Sequence, residues 1–67
     1  MIVFINSKST EVPDTEDTVG KLMDFLRFSR QGTGVVLNNH LIRAKDWDAT
    51  HLKNDDRLTV ISATYGG

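Results

Sequence analysis

The stretch with the most chemical consequence is the last one. Ala63-Thr64-Tyr65-Gly66-Gly67 brings the sequence to two glycines and a main-chain carboxylate. At ordinary glycine usage such a pair arises by chance in roughly one chain in 200, so it is compatible with a frayed end or with a carboxylate that has a use. Elsewhere the reactive inventory is thin. There is no cysteine, which removes disulfides, thiolate zinc sites and a thiol nucleophile. If sulfur or redox chemistry takes place at this protein, another molecule supplies the thiol. His40 and His51 fall in different loops beside Asp46, Asp48, Asp55 and Asp56, but no metal-ligand spacing recurs and they read as solvated surface. Trp47 could stack on a nucleotide, yet a lone large aromatic over a small core reads as a packing anchor. With neither a nucleophile–base pair nor a metal constellation, the chain does not read as an enzyme, and no bound cofactor or metal is expected.

The elements that position this tail must come from 67 residues, enough for one domain that buries only about 60% of its unfolded surface. Eight basic and nine acidic residues nearly cancel, and no stripe of Lys and Arg suits a phosphate backbone, so nucleic acid is not an expected partner. The amino terminus lacks a basic leader with a long apolar segment, and no run approaches the roughly 20 apolar residues of a membrane span. A soluble, cytoplasmic chain is expected.

Met1 to Ile5 is continuously apolar, β-branched and aromatic, and stops at Asn6-Ser7. It predicts an interior strand covered on both faces, followed by a turn. The stretch Ser9 to Pro13 predicts a second strand at an edge, because proline cannot donate to a central ladder. Asp14 to Thr18 then supplies several capping residues, and an amphipathic helix starts near Thr18, with apolar Val19, Leu22, Met23 and Leu26 at i, i+3, i+4 and i+7. The spacing predicts an end around Arg27 to Arg30, before Gly32 and Gly34, with Phe28 folding back toward the core. A third strand, an Asn38-Asn39 turn, a short fourth strand, a 3₁₀ or irregular turn around Trp47, a polar Lys53 to Asp56 turn and a last strand at Arg57 to Ala63 complete the order.

That order, a hairpin, a helix across the sheet and a final strand returning beside the first, defines an α+β fold of the β-grasp (ubiquitin-like) type. Its sheet is a mixed one of four to five strands with one main helix. A ferredoxin-like unit would need a second full helix. The expected organisation is a single domain over residues 1–63 and a flexible tail over 64–67. Alternation turns Met1, Val3, Ile5, Leu58 and Val60 toward the helix and Ile2, Phe4, Thr59, Ile61 and Ala63 away from it. Phe4, Ile61 and Ala63 are then the expected partner surface, close to where the tail leaves the sheet.

The stretches Leu37 to Trp47 and Leu52 to Ile61, with the final Gly66-Gly67, resemble the sulfur carrier protein of thiamine biosynthesis, the ThiS family, over essentially the whole chain. Asn38-Asn39, Trp47, Leu52, Asp56 and Gly66-Gly67 fall on the family's pattern, and Thr18 opens a helix like the family's own. The sequence departs from that pattern at Arg43, where a proline is usual, at Ala44, where a basic residue is usual, and at Asp55, in place of the glycine of a Gly-Asp turn. The resemblance implies a carrier whose Gly67 carboxylate is adenylated with ATP by an E1-like (ThiF-like) enzyme. A persulfide enzyme then converts it to a thiocarboxylate, which supplies sulfur to a thiazole synthase (ThiG-like). ATP belongs to the partner. Gly66 and Tyr65 would give the tail clearance in the foreign active site, where the glycines, without Cβ, accept whatever φ and ψ are demanded. The small subunit of molybdopterin synthase and a ubiquitin-like module with an unactivated tail remain alternatives, the first usually longer and more apolar before its Gly-Gly.

Overall fold

The computed structural model describes residues 1–62. The expectations placed on Ala63, Tyr65, Gly66 and Gly67, and the domain boundary after residue 63, lie outside the described residues. Five strands, β1 (Ile2–Ile5), β2 (Lys8–Glu11), β3 (Thr33–Leu37), β4 (His40–Ile42) and β5 (Arg57–Ser62), accompany one helix, α1 (Val19–Phe25), and a 3₁₀ turn over Ala44–Ala49. They form one sheet in the order β2-β1-β5-β3-β4. β1 and β5 run parallel and every other pair antiparallel. The last strand therefore occupies the middle of the sheet, and the edge position read from Pro13 for β2 is observed.

Two asparagine turns set the register. Asn6 and Ser7 (φ 50° and 71°) and Asn38 and Asn39 (φ 48° and 73°) are all left-handed, as a two-residue hairpin turn matched to strand twist requires. Their side chains also clamp β5. The Asn6 amide accepts from Val60 N–H at 2.9 Å and donates to Val60 C=O at 3.3 Å. The Asn38 amide accepts from Arg57 N–H at 3.0 Å and donates to the buried Asp56 carboxylate at 3.0 Å. β1 pairs with β5 at only two positions, Phe4 with Arg57 and Ile5 with Leu58, so the Asn6 amide continues that ladder after the strand has turned away.

The core lies on one side of the sheet. Val3, Val35, Leu58 and Val60 meet Val19, Leu22 and Met23 of α1, and Trp47 closes the end. Trp47 is fully buried and its indole N–H donates to Ile42 C=O at 3.0 Å, which satisfies the ring's one polar atom. Arg30 ties the helix to the 3₁₀ turn by bridging Asp24 and Asp48 at 3.1 and 2.9 Å. Its hydrogen bond to Asp48 holds that carboxyl below the usual carboxylate range. This pair crosses the helix at Gly20, where a Cβ would collide with Asp48 Oδ1 and stand 2.8 Å from Arg30 Nη2.

Two expectations are corrected. β1 is covered on one face only, with Ile2 38% exposed and Phe4 half-buried on the other; a continuous apolar run does not reveal how many faces have a neighbour. The helix also ends at Phe25, two residues before the expected Arg27 to Arg30. Leu26 is its C-cap and Arg27 takes a left-handed φ of 65°. Phe28 N–H then reaches Met23 C=O at 2.9 Å and Arg27 N–H reaches Asp24 C=O at 3.1 Å, the pair of bonds that define a Schellman end. The same bend folds Phe28 onto the core. Since Arg27 is exposed and a left-handed backbone costs an L-residue about 1–2 kcal/mol, Arg27→Gly is expected to stabilise the domain by about 0.5 kcal/mol after glycine's extra chain entropy is subtracted. That corresponds to a melting temperature roughly 2–4 °C higher by calorimetry; an unchanged or lower midpoint would count against strain at this position.

Candidate functional site

β5 carries the chain from the polar Lys53 to Asp56 turn through the centre of the sheet toward the tail. The turn itself is tightly built. Asp56, buried, accepts from Lys53 N–H at 2.8 Å as well as from Asn38. Asp55 holds a φ of 71°, which explains why a glycine suits this position and why Asp, tolerant of left-handed geometry, can replace it. Arg43, at the other departure, has φ −72° and ψ 149°, a conformation proline shares. Both substitutions keep the backbone that the usual residues would impose.

Along β5 the side chains alternate, with Leu58 and Val60 buried and Arg57, Thr59, Ile61 exposed. The outward face has no helix over it. Ile61 is 59% exposed, opposite Gly34, and Thr59 lies opposite Val36, which lies in turn opposite Leu41, itself 67% exposed. Ile61, Val36 and Leu41 thus form an apolar band across three strands. Phe4 is on the same face but not beside Ile61. It pairs with Arg57 at the start of β5, four residues from Ile61, or about 13 Å along a strand. The expected nearness of Phe4 to the exit of the tail is therefore corrected: alternation assigns a residue to a face, while the register between strands far apart in sequence assigns its neighbours.

Val36, Leu41 and Arg57 belong to this face and were not read from the sequence. The Asn38-Asn39 turn held the signal for two of them, because a two-residue hairpin sets Leu37 opposite His40 and hence Val36 opposite Leu41. Arg57 needed the β1–β5 register. Its guanidinium lies over the Phe4 ring, 4.6 Å from the centroid, and with Ser7, Val36, Asn38 and Asn39 the two residues line a shallow depression. His40 and His51 are exposed at separate places, the second bridging Thr18 in a one-residue β contact. Among the described residues no group of three or more His, Asp or Glu converges on a metal-sized site, and no helix is long and apolar enough to cross a membrane.

A five-stranded mixed sheet wrapped over one helix, with its last strand at the centre, is the β-grasp architecture of ubiquitin-like proteins. The ThiS family model matches residues 3–67, through the terminal Gly66-Gly67, and the chain belongs to that family. The crystal structure of the thiamine biosynthesis protein ThiS from Geobacter metallireducens superposes with a TM-score of 0.81 at 26% identity, covering 100% of both chains. The NMR solution structure of a thiamine biosynthesis protein from the same organism gives a TM-score of 0.83 at 26% identity over 100% of this chain and 88% of that one. A comparison with curated proteins returns no match.

Proposed function

We propose that this chain is a sulfur carrier and co-substrate of partner enzymes, with Gly67 as the loaded residue. The observation that carries the reading is the ThiS family match running through Gly66-Gly67. A carboxylate is a poor electrophile. Attack of its oxygen on the α-phosphate of ATP, in the active site of an E1-like (ThiF-like) enzyme, expels pyrophosphate and leaves an acyl-adenylate with AMP as leaving group. A persulfide on the sulfur-donating enzyme displaces AMP, and cleavage of the resulting acyl disulfide by a further thiol releases the thiocarboxylate. A chain without cysteine cannot divert the acyl group onto a thiol of its own, which suits it to receive sulfur. The thiocarboxylate then acts as the sulfur nucleophile for a thiazole synthase (ThiG-like). In this scheme the domain supplies recognition through the open sheet face around Ile61, Phe4 and, beyond the described residues, Ala63. Gly66 and Tyr65 carry the carboxylate to the reacting atoms.

The test is an intact mass. Incubated with its cognate adenylating enzyme, ATP and a persulfide donor, the protein is expected to gain the mass difference between sulfur and oxygen, localised to Gly67 by fragmentation. An unchanged mass, with an enzyme shown to be active on another carrier, overturns the reading.

A further inference from the structure

Charge on this molecule is segregated in a way that the carrier reading, on which this inference rests, does not use. Of the nine side-chain carboxylates, Asp14, Glu16 and Asp17 precede α1, Asp24 is in it, Asp46 and Asp48 sit in the 3₁₀ turn and Asp55 and Asp56 in the turn before β5. Only Glu11 is in a strand, at the far edge on β2. The outward face of β5, β3 and β4 carries no carboxylate, and its one strand cation is Arg57.

Arg57 is also held at both its main chain and its guanidinium. Its main chain is fixed on both polar atoms by Asn38, whose N–H donates to Arg57 C=O at 2.8 Å and whose Oδ1 accepts from Arg57 N–H at 3.0 Å. Its guanidinium is placed over Phe4. Arg30, by contrast, is consumed by Asp24 and Asp48, whereas Arg57 makes no ion pair with any described residue. A guanidinium on an aromatic face has given up water on that face while its edge N–H groups stay free in a fork that matches a carboxylate. Part of the ordering entropy of the side chain is spent before a partner arrives.

We infer that Arg57, stacked on Phe4, is the electrostatic anchor of the outward sheet face and receives a carboxylate of the adenylating enzyme, beside the apolar band of Val36, Leu41 and Ile61. The partner surface that fits is acidic opposite β1–β5 and apolar opposite β3–β4. A charge-assisted, bidentate pair formed on a desolvated face contributes both affinity and orientation.

The experiment is a titration of the full chain against its cognate adenylating enzyme at low and high salt. Arg57→Glu is expected to weaken binding about tenfold or more at low salt and to flatten the salt dependence. Arg57→Lys should recover only part of the loss, because an ammonium neither forks nor stacks in the same way. Lys45→Glu makes the same change in net charge on the exposed 3₁₀ turn and should bind as wild type. Circular dichroism confirms that each variant is folded. Wild-type affinity in Arg57→Glu, or an equal loss in Lys45→Glu, overturns the anchor while leaving the carrier reading intact if the wild type gains its thiocarboxylate. A wild type that is never loaded overturns the carrier reading, and the anchor with it.

Discussion

Deleting Gly67, or replacing Gly66→Val, is expected to abolish sulfur loading while stability changes by less than about 0.5 kcal/mol. Deletion moves the carboxylate back by one residue, about 3.5 Å, and a displacement of about 1 Å at a reacting centre already costs roughly 100-fold. Valine keeps the length but adds a branched Cβ that restricts the backbone where the foreign channel closes around it. Neither glycine has a side chain to lend to the core, whose members among the described residues lie between Val3 and Val60. Intact mass after incubation with the adenylating enzyme, ATP and a sulfur donor reads the first half, and a thermal melt reads the second. Variants that load normally would remove the tail from the chemistry. Variants that melt much earlier than wild type would make the glycines structural.

Leu58→Asp is expected to unfold the domain, and Ile61→Asp, three residues along the same strand, to leave it folded. Leu58 is 2% exposed in the middle of the core and Ile61 is 59% exposed on the open face. An unpaired carboxylate in the first position costs several kcal/mol, against a total stability of about 3–10 kcal/mol for a chain of this size. Ile61→Asp needs no desolvation in the free protein and should instead weaken capture by the adenylating enzyme, as should Phe4→Asp at the other end of the face. Circular dichroism and a pull-down decide it. A folded Leu58→Asp would refute the core assignment. Folded Ile61→Asp and Phe4→Asp variants that bind as wild type would show that the face has no part in recognition.

Much of this arrangement was legible in the sequence because local chemistry dictated it. Thr18 accepts the Lys21 N–H at 3.1 Å as an N-cap should, the Asn6-Ser7 and Asn38-Asn39 pairs adopt left-handed turns, and period-2 alternation puts Leu58 and Val60 inside and Ile61 outside. What was not legible depended on long-range register or on a backbone conformation unusual for its residue. Arg27 ends the helix in a conformation for which glycine is the ordinary signal. The contact of Phe4 with Arg57 spans most of the chain, and no local pattern at either residue encodes it. Of the candidate site, the terminal glycines were legible as a motif and the open face as an alternation, while the band of Val36 and Leu41 required the hairpin and the strand order together.

The clamp of Asn6 on Val60 joins residues 54 apart, and it has a temporal meaning. Closing a loop of that length costs about 3.5 kcal/mol in chain entropy beyond the constant term, offset at that junction by the short β1–β5 ladder, the Asn6 amide pair and the bonds of Ile2 to Asn54 and Asp55. Because the strand in the middle of the sheet comes last of the five in the sequence, β2-β1 and β3-β4 have nothing between them until β5 is in place. Pairing between strands this far apart in sequence is of the kind that slows folding. A chain cut short before β5 has no strand with which to unite the two hairpins.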